Sequence, residues 1–197
     1  RPVAEMGSSS SDLGGAARFA PLVFFYQNNL DAMLAAVRQL TAMTHRNADV
    51  IDSAVFFAQV TAGVLRGKEP MVALQDVARL SFDRPPFKQW ISEGLGSQGR
   101  DTRAAIGQFG QACDVSAGFP GVVHLIAKYQ DNPRDGLVEN VMAGGDSAAR
   151  GLLAGMVFGA YSGIDAVAHE WVCDLNGRGA IEHFLEQMGH PPADDMG

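Results

Sequence analysis

Two glycines, an aspartate and a serine open the most informative run of the chain, Gly144-Gly145-Asp146-Ser147-Ala148-Ala149-Arg150-Gly151. Gly144 and Gly145 free the backbone to approach a ligand closely. A helix begun at Asp146 exposes unpaired N–H groups in its first turn, a ready site for an anion. Behind them Gly151, Gly155 and Gly159 recur every four residues. Each costs about 1 kcal/mol against alanine inside a helix. The ridge therefore predicts a second helix packed very close, and a helix buried at the centre of the fold. The same spacing is also that of a capped, tightly packed helix with no ligand.

Other candidate residues carry less chemistry. Asp165 and His169 stand four apart on one helix face, where a surface pair is the plainer reading than a metal site. The run from Asp131 to Gly136 hints at a calcium loop, but Pro133 replaces a ligand and Met142 stands where the bidentate glutamate belongs, so it reads as a turn. Cys113 and Cys173 cannot make a disulfide framework and have no neighbour at metal-ligand spacing. They read as buried small hydrophobes. His45 alone reads as a structural histidine, and the Ser8-Ser9-Ser10-Ser11 run as a loop. No Gly-x-Ser-x-Gly elbow or Ser-His-Asp order is present.

The elements that must position these residues are helical. Leu30, Met33, Leu34, Val37 and Leu40 follow helical spacing behind Asn28 and Asn29 as caps. Ile51, Ala54, Val55, Ala58, Ala62 and Leu65 form a second stripe ending at Gly67, and a third segment opens at Pro70 with Leu74, Val77 and Ala78 inward. Pro85-Pro86 breaks it, a short stretch surrounds Trp90, and Asp101 caps a helix carrying Ala105, Ile106 and Phe109. After an expected break near Gly118 come a stripe of Val122, Val123, Ile126 and Ala127, then a helix begun at Pro133 that carries Leu137, Val138 and Val141. Asp146 caps a helix to about residue 161, and segments 165–172 and 180–188 complete the chain. The reading is all-α, one domain over 1–197, with nine or ten helices and no internal repeat.

Composition narrows the function classes. Fifteen Lys+Arg against 22 Asp+Glu give a net charge of −7, which argues against nucleic acid or an anionic membrane surface as partner. A 47% apolar share supplies a core. No apolar run reaches membrane-span length, and no signal-peptide pattern follows Arg1, so the expectation is an intracellular, cytoplasmic protein.

The stretch from Asn140 to Gly163 resembles the C-terminal signature of the ADP-ribosylglycohydrolase family, which reads Gly-Gly-Asp-Thr-Asp-Thr and then a helix of Ala-Gly-Ala-x-x-Gly-Ala-x-x-Gly. Three further blocks fit in order. Gly14-Gly-Ala-Ala-Arg18-Phe-Ala-Pro21 resembles the family's Asn-Gly-x-x-Met-Arg-x-x-Pro segment, Thr44-His45 its Thr-His block, and Ser116-Ala-Gly-Phe119-Pro120 the segment before its penultimate core helix. The likeness spans about residues 8–172. It implies an orthogonal all-α bundle with a di-magnesium site that hydrolyses glycosidic bonds to ADP-ribose or a related nucleotide-sugar conjugate. It also implies that Ser10, Ser11, Gly14, Gly15, Arg18, His45, Gly144, Gly145 and Ser147 line the ligand. The partner would be a small nucleotide-sugar or an ADP-ribosylated protein.

The departures from the pattern shape the expectation. Where the family places metal-ligating oxygens, this chain keeps only Asp146 and has Ala148 and Ala149. The family's N-terminal Thr-Asp-Asp block is absent, and with the Arg1 start this reads as the C-terminal part of a longer domain whose N-terminal segment would be its partner. Asp146 is thus expected to support at most one weak Mg²⁺, and a binuclear site is not expected. Arg150, four residues on, is expected to reach the Asp146 carboxylate or the same pocket as the neutralising cation. The alternative to a divergent hydrolase is a non-catalytic nucleotide-binding or structural, crystallin-like member.

Overall fold

Side-chain caps start most of the helices. In the computed structural model, which describes residues 7–188, the regular structure is helical throughout, with eleven α-helices and no strand among the described residues. The chain divides into two compact units, Arg1–Ala166 and Val167–Gly197. The first holds α1 (Ala20–Phe25), α2 (Leu30–Ala42), α3 (Ala48–Leu65), α4 (Pro70–Ser81), α5 (Phe87–Gly96), α6 (Thr102–Phe109), α7 (Val115–Tyr129), α8 (Pro133–Met142) and α9 (Ser147–Ser162). The second holds α10 (His169–Cys173) and α11 (Arg178–Met188). Asn29, Asn47, Asp101, Asp114, Asn132 and Asp146 each accept an N–H from the first turn they precede. Each cap is worth about 1 kcal/mol.

The core of the first unit is built on α3, α7 and α9. α3 packs against α2, α4 and α9, and α7 against α5, α6 and α9. Phe56, Phe57, Phe82, Phe87, Trp90 and Phe119 stack into one aromatic cluster with ring centroids 5.0–5.7 Å apart. Burying each such ring contributes about 2–3 kcal/mol. Contrary to the sequence expectation, α3 is long and apolar enough to cross a membrane by length and composition. Here it is the core helix, with Phe56, Phe57, Ala58 and Val60 fully buried.

Other expectations are corrected by packing. No break occurs near Gly118: the Asp114 carboxylate starts α7 at Val115, and the helix runs through Gly118 and Pro120. Pro120 forfeits one backbone bond, which its burial in the core offsets. A Cβ on Gly118 would lie 2.5 Å from Leu13, so the glycine admits the N-terminal loop. On α8 only Leu137 of the expected stripe packs against the core. Val138 and Val141 are exposed, while Gly136, which abuts Tyr129, and Asn140 are buried. The expected 165–172 helix is a 3₁₀ turn (Gly163–Ala166) followed by the short α10, because Gly163 adopts φ +69° and ends α9.

The glycine ridge is close-packed at one end only. A Cβ on Gly151 would approach Asn140 to 3.0 Å, one on Gly155 would only touch Leu137 at 4.0 Å, and Gly159 faces nothing within 4 Å. The buried face of α9 is instead Ala149, Arg150, Leu153, Ala154, Val157 and Phe158. Both cysteines, expected in the core, are exposed. Their neighbours are polar loop and helix-end residues, which explains why the apolar reading fails.

One buried polar network ties α5, α6 and α7 together. His124 is fully buried, with Nδ1 2.7 Å from Ser97 Oγ and Nε2 3.1 Å from Thr102 Oγ1. Ser97 gives its only hydroxyl proton to the Gly94 carbonyl, so it accepts from Nδ1–H. Thr102 then donates to Nε2 and accepts from the Tyr129 hydroxyl at 2.8 Å. The network is satisfied by a neutral imidazole.

Candidate functional site

Gly144 and Gly145 both adopt left-handed backbone, φ +72° and +65°, and only glycine does so without strain. Gly145 is also pressed onto the loop before α7: a Cβ there would sit 2.1 Å from the Gln111 carbonyl oxygen. The Asp146 N–H donates to that same carbonyl at 2.9 Å, and Gln111 Nε2 donates to the Ala143 carbonyl. The carboxylate of Asp146 accepts the Ala149 N–H at 3.4 Å as the cap of α9. The Ser147 carbonyl accepts from Asn140 Nδ2 at 2.8 Å.

Arg150 is the largest fully buried side chain of the described residues, 1% exposed. It folds back beneath the turn, Nε donating to Asn140 Oδ1 at 3.0 Å and Nη2 to the Gly144 carbonyl at 2.6 Å, while Nη1 is buried without a partner. Burial pushes the guanidinium below the usual arginine range, and the nearby Asp146 charge opposes the shift. The expected bond from Arg150 to the Asp146 carboxylate is not what holds it. Asp146 is a cap with non-helical backbone (φ −75°, ψ 71°), so the i, i+4 geometry of a helix face does not apply to the pair. The carboxylate serves the first turn, and the guanidinium serves the backbone of the Gly-Gly turn.

The residues present do not fit a binuclear magnesium centre. Mg²⁺ asks for a near-octahedral set of oxygens. Ala148 and Ala149 offer methyl groups, Asp146 is engaged as a cap, and among the described residues no three His, Cys, Asp or Glu side chains gather to hold an ion. Calorimetric titration of the chain with Mg²⁺ is expected to show no pair of tight sites. Ala148→Asp with Ala149→Thr is expected to raise Mg²⁺ affinity, and more so when Arg150→Met removes the adjacent positive charge.

A second group forms around the N-terminal loop. The Ser8 N–H donates to the Thr44 carbonyl and the Arg46 N–H to the Ser8 carbonyl, each at 2.8 Å, pairing the loop with the α2–α3 junction. Gly15 lies against the His45 ring, where a Cβ would come within 2.4 Å. Arg18, exposed, donates from Nη2 to Thr44 Oγ1, and His45 Nδ1 sits 2.9 Å from the same hydroxyl. The serine hydroxyls are partly spent inside the loop. Ser8 Oγ accepts from the Ser10 N–H, Ser10 Oγ from the Asp12 N–H, and Ser11 Oγ donates to the Asp114 carboxylate at 2.5 Å. That bond and those from Ser116 hold Asp114 below the usual carboxylate range.

The loop ahead of α7 joins the two groups. Gln111 grips the Gly-Gly turn, while the Cys113 carbonyl accepts the Leu13 N–H at 2.7 Å and the Val115 N–H donates to Ser11 at 2.8 Å. The Asp12 carboxylate beside the Cys113 thiol, aided by burial and by the more distant Asp146 charge, pushes that thiol up. Ser10, Ser11, Gly14, Gly15, Arg18 and His45 thus belong to one group, and Gly144, Gly145, Asp146, Ser147 and Arg150 to the other. Sequence reasoning missed Gln111, Asn140 and Asp12. Only Asp12 had a local signal, as the cap accepting the Gly14 N–H at 2.7 Å. A groove of about 620 Å³ opens between α4 and α5, lined by Phe82, Ile91 and Leu95, and none of the candidate residues lines it.

The chain was compared with models of known protein families. The model described as ADP-ribosylglycohydrolase covers residues 1–194. No curated protein matches the chain.

Proposed function

The chain belongs to the ADP-ribosylglycohydrolase family, a family of hydrolases, and on that premise we propose that it holds an ADP-ribose-like ligand through Arg18, Thr44, His45 and the adjoining serine loop. The supporting observation is the meeting of Arg18 and His45 on one hydroxyl, although 26 residues separate Arg18 from Thr44. An exposed guanidinium with neighbouring imidazole and hydroxyl donors is suited to a diphosphate, which takes charge-assisted hydrogen bonds. Gly15 lets the His45 ring pack against the backbone beside Thr44, which sets the imidazole next to the guanidinium. The glycosidic bond of that ligand, to a protein side chain or a related conjugate, is the bond the family's reaction class would break. Because the donor set at Asp146 does not fit a metal pair, the reading favours ligand holding over hydrolysis by these residues alone.

Calorimetry with free ADP-ribose tests this reading. The chain is expected to bind, and Arg18→Ala is expected to weaken binding at least tenfold, about 1.4 kcal/mol or more, with helicity unchanged. Absence of binding would leave the structural, crystallin-like role. Turnover of an ADP-ribosylated peptide with Mg²⁺ would instead establish a working hydrolase.

A further inference from the structure

We propose that Cys173, set between His169 and Arg178, is an activated surface thiol that forms mixed disulfides with low-molecular-weight disulfides. The proposal is independent of the ligand site above and rests on the second unit alone. Residues 169 and 173 stand four apart on α10, so one helix face carries both side chains. Cys173 Sγ lies 3.2 Å from His169 Nε2 and accepts from Arg178 Nη1 at 3.3 Å. Arg178 opens α11, across the turn, and is aimed by its bond from Nε to Glu182 Oε1 at 2.6 Å. A base that can take the proton and a cation that can hold the resulting charge therefore converge on one exposed sulfur. That is the environment in which thiolates form and react.

The chain carries its own control. Cys113 is also exposed, but it lies beside the Asp12 carboxylate, which disfavours its thiolate. Glu182 and, after it, the Cys173 sulfur hold the Arg178 guanidinium in its charged form. The charged side chain that each thiol meets thus differs in sign, Arg178 at Cys173 and Asp12 at Cys113.

In the step, the Cys173 thiol passes its proton to His169 Nε2 and the thiolate attacks one sulfur of the disulfide. A new S–S bond forms, the old one breaks, and the other half leaves as a thiolate that takes up the proton. His169 and Arg178 act on the sulfur, and the disulfide is the oxidant.

The whole chain is treated with iodoacetamide at pH 7, and labelling of the two cysteines is followed separately by peptide mass spectrometry. Cys173, with the His169 imidazole and the Arg178 guanidinium on its sulfur, is expected to label several-fold faster than Cys113. His169→Gln and Arg178→Gln are each expected to slow Cys173 several-fold and leave Cys113 unchanged. Oxidised glutathione is then expected to modify Cys173 first. Equal rates, a faster Cys113, or variants that leave the Cys173 rate unaltered would overturn the activation. Rapid alkylation without mixed-disulfide formation would overturn the assigned reaction.

Discussion

Arg150→Ala is expected to destabilise the chain by about 3–5 kcal/mol, read as a lower urea midpoint with an unchanged slope. The side chain is 1% exposed and packs its Cδ against Gly121, where even a Cβ would come within 2.9 Å. Truncation opens a cavity and strips partners from Asn140 Oδ1 and the Gly144 carbonyl. Arg150→Met restores most of the volume without a buried charge and is expected to cost less than half as much. The charge itself is expensive here, since burial works against it and Nη1 has no partner. A methionine variant as unstable as the alanine one would show that the hydrogen bonds, and not the packing, dominate.

Acidification is expected to remove about 3 kcal/mol through His124. Burial, helped by the charges of Lys128 and Arg100, lowers its pKa to about 4 from the usual 6.5. Between these values the unfolded chain binds a proton that the folded chain refuses, so stability is full above pH 6.5 and falls as the pH drops toward 4. About 2 kcal/mol should go between pH 7 and pH 5, and the rest by pH 4. Carboxylates held low by partners, such as Asp114, lose their share below that range. Urea titrations at pH 7 and pH 5 on the natural chain and on His124→Gln isolate the histidine. The natural chain should lose the larger amount. Equal losses would mean that His124 does not titrate in this window.

Much of the scaffold was legible because it is written locally. Asn29, Asp101 and Asp146 cap helices by bonding N–H groups three residues on, and Pro133 starts α8, all within one turn of chain. The stripes of α2 and α3 repeat within a few turns, so all-α is readable from spacing. The Gly-Gly-Asp run and the Arg18 and Thr44-His45 blocks were legible as family likeness, and residues 1–194 match that family.

What the sequence by itself determined about this protein is therefore its helices, their starts and its family. Tertiary structure alone decided the inward face of α8, the passage of α7 through Pro120, and the partners of the buried guanidinium. Asn140 and Gly144 hold Arg150 from ten and six residues away, and Ser11 meets Asp114 across 103 residues. The exposure of both cysteines, and the meeting of Cys113 with Asp12 and of Cys173 with Arg178, were decided in the same way. Helix spacing reports which residues share a face. Which face is buried, and which polar group a buried charge finds, depends on the neighbouring elements, because desolvation and hydrogen bonding are settled by whatever surface closes over the group.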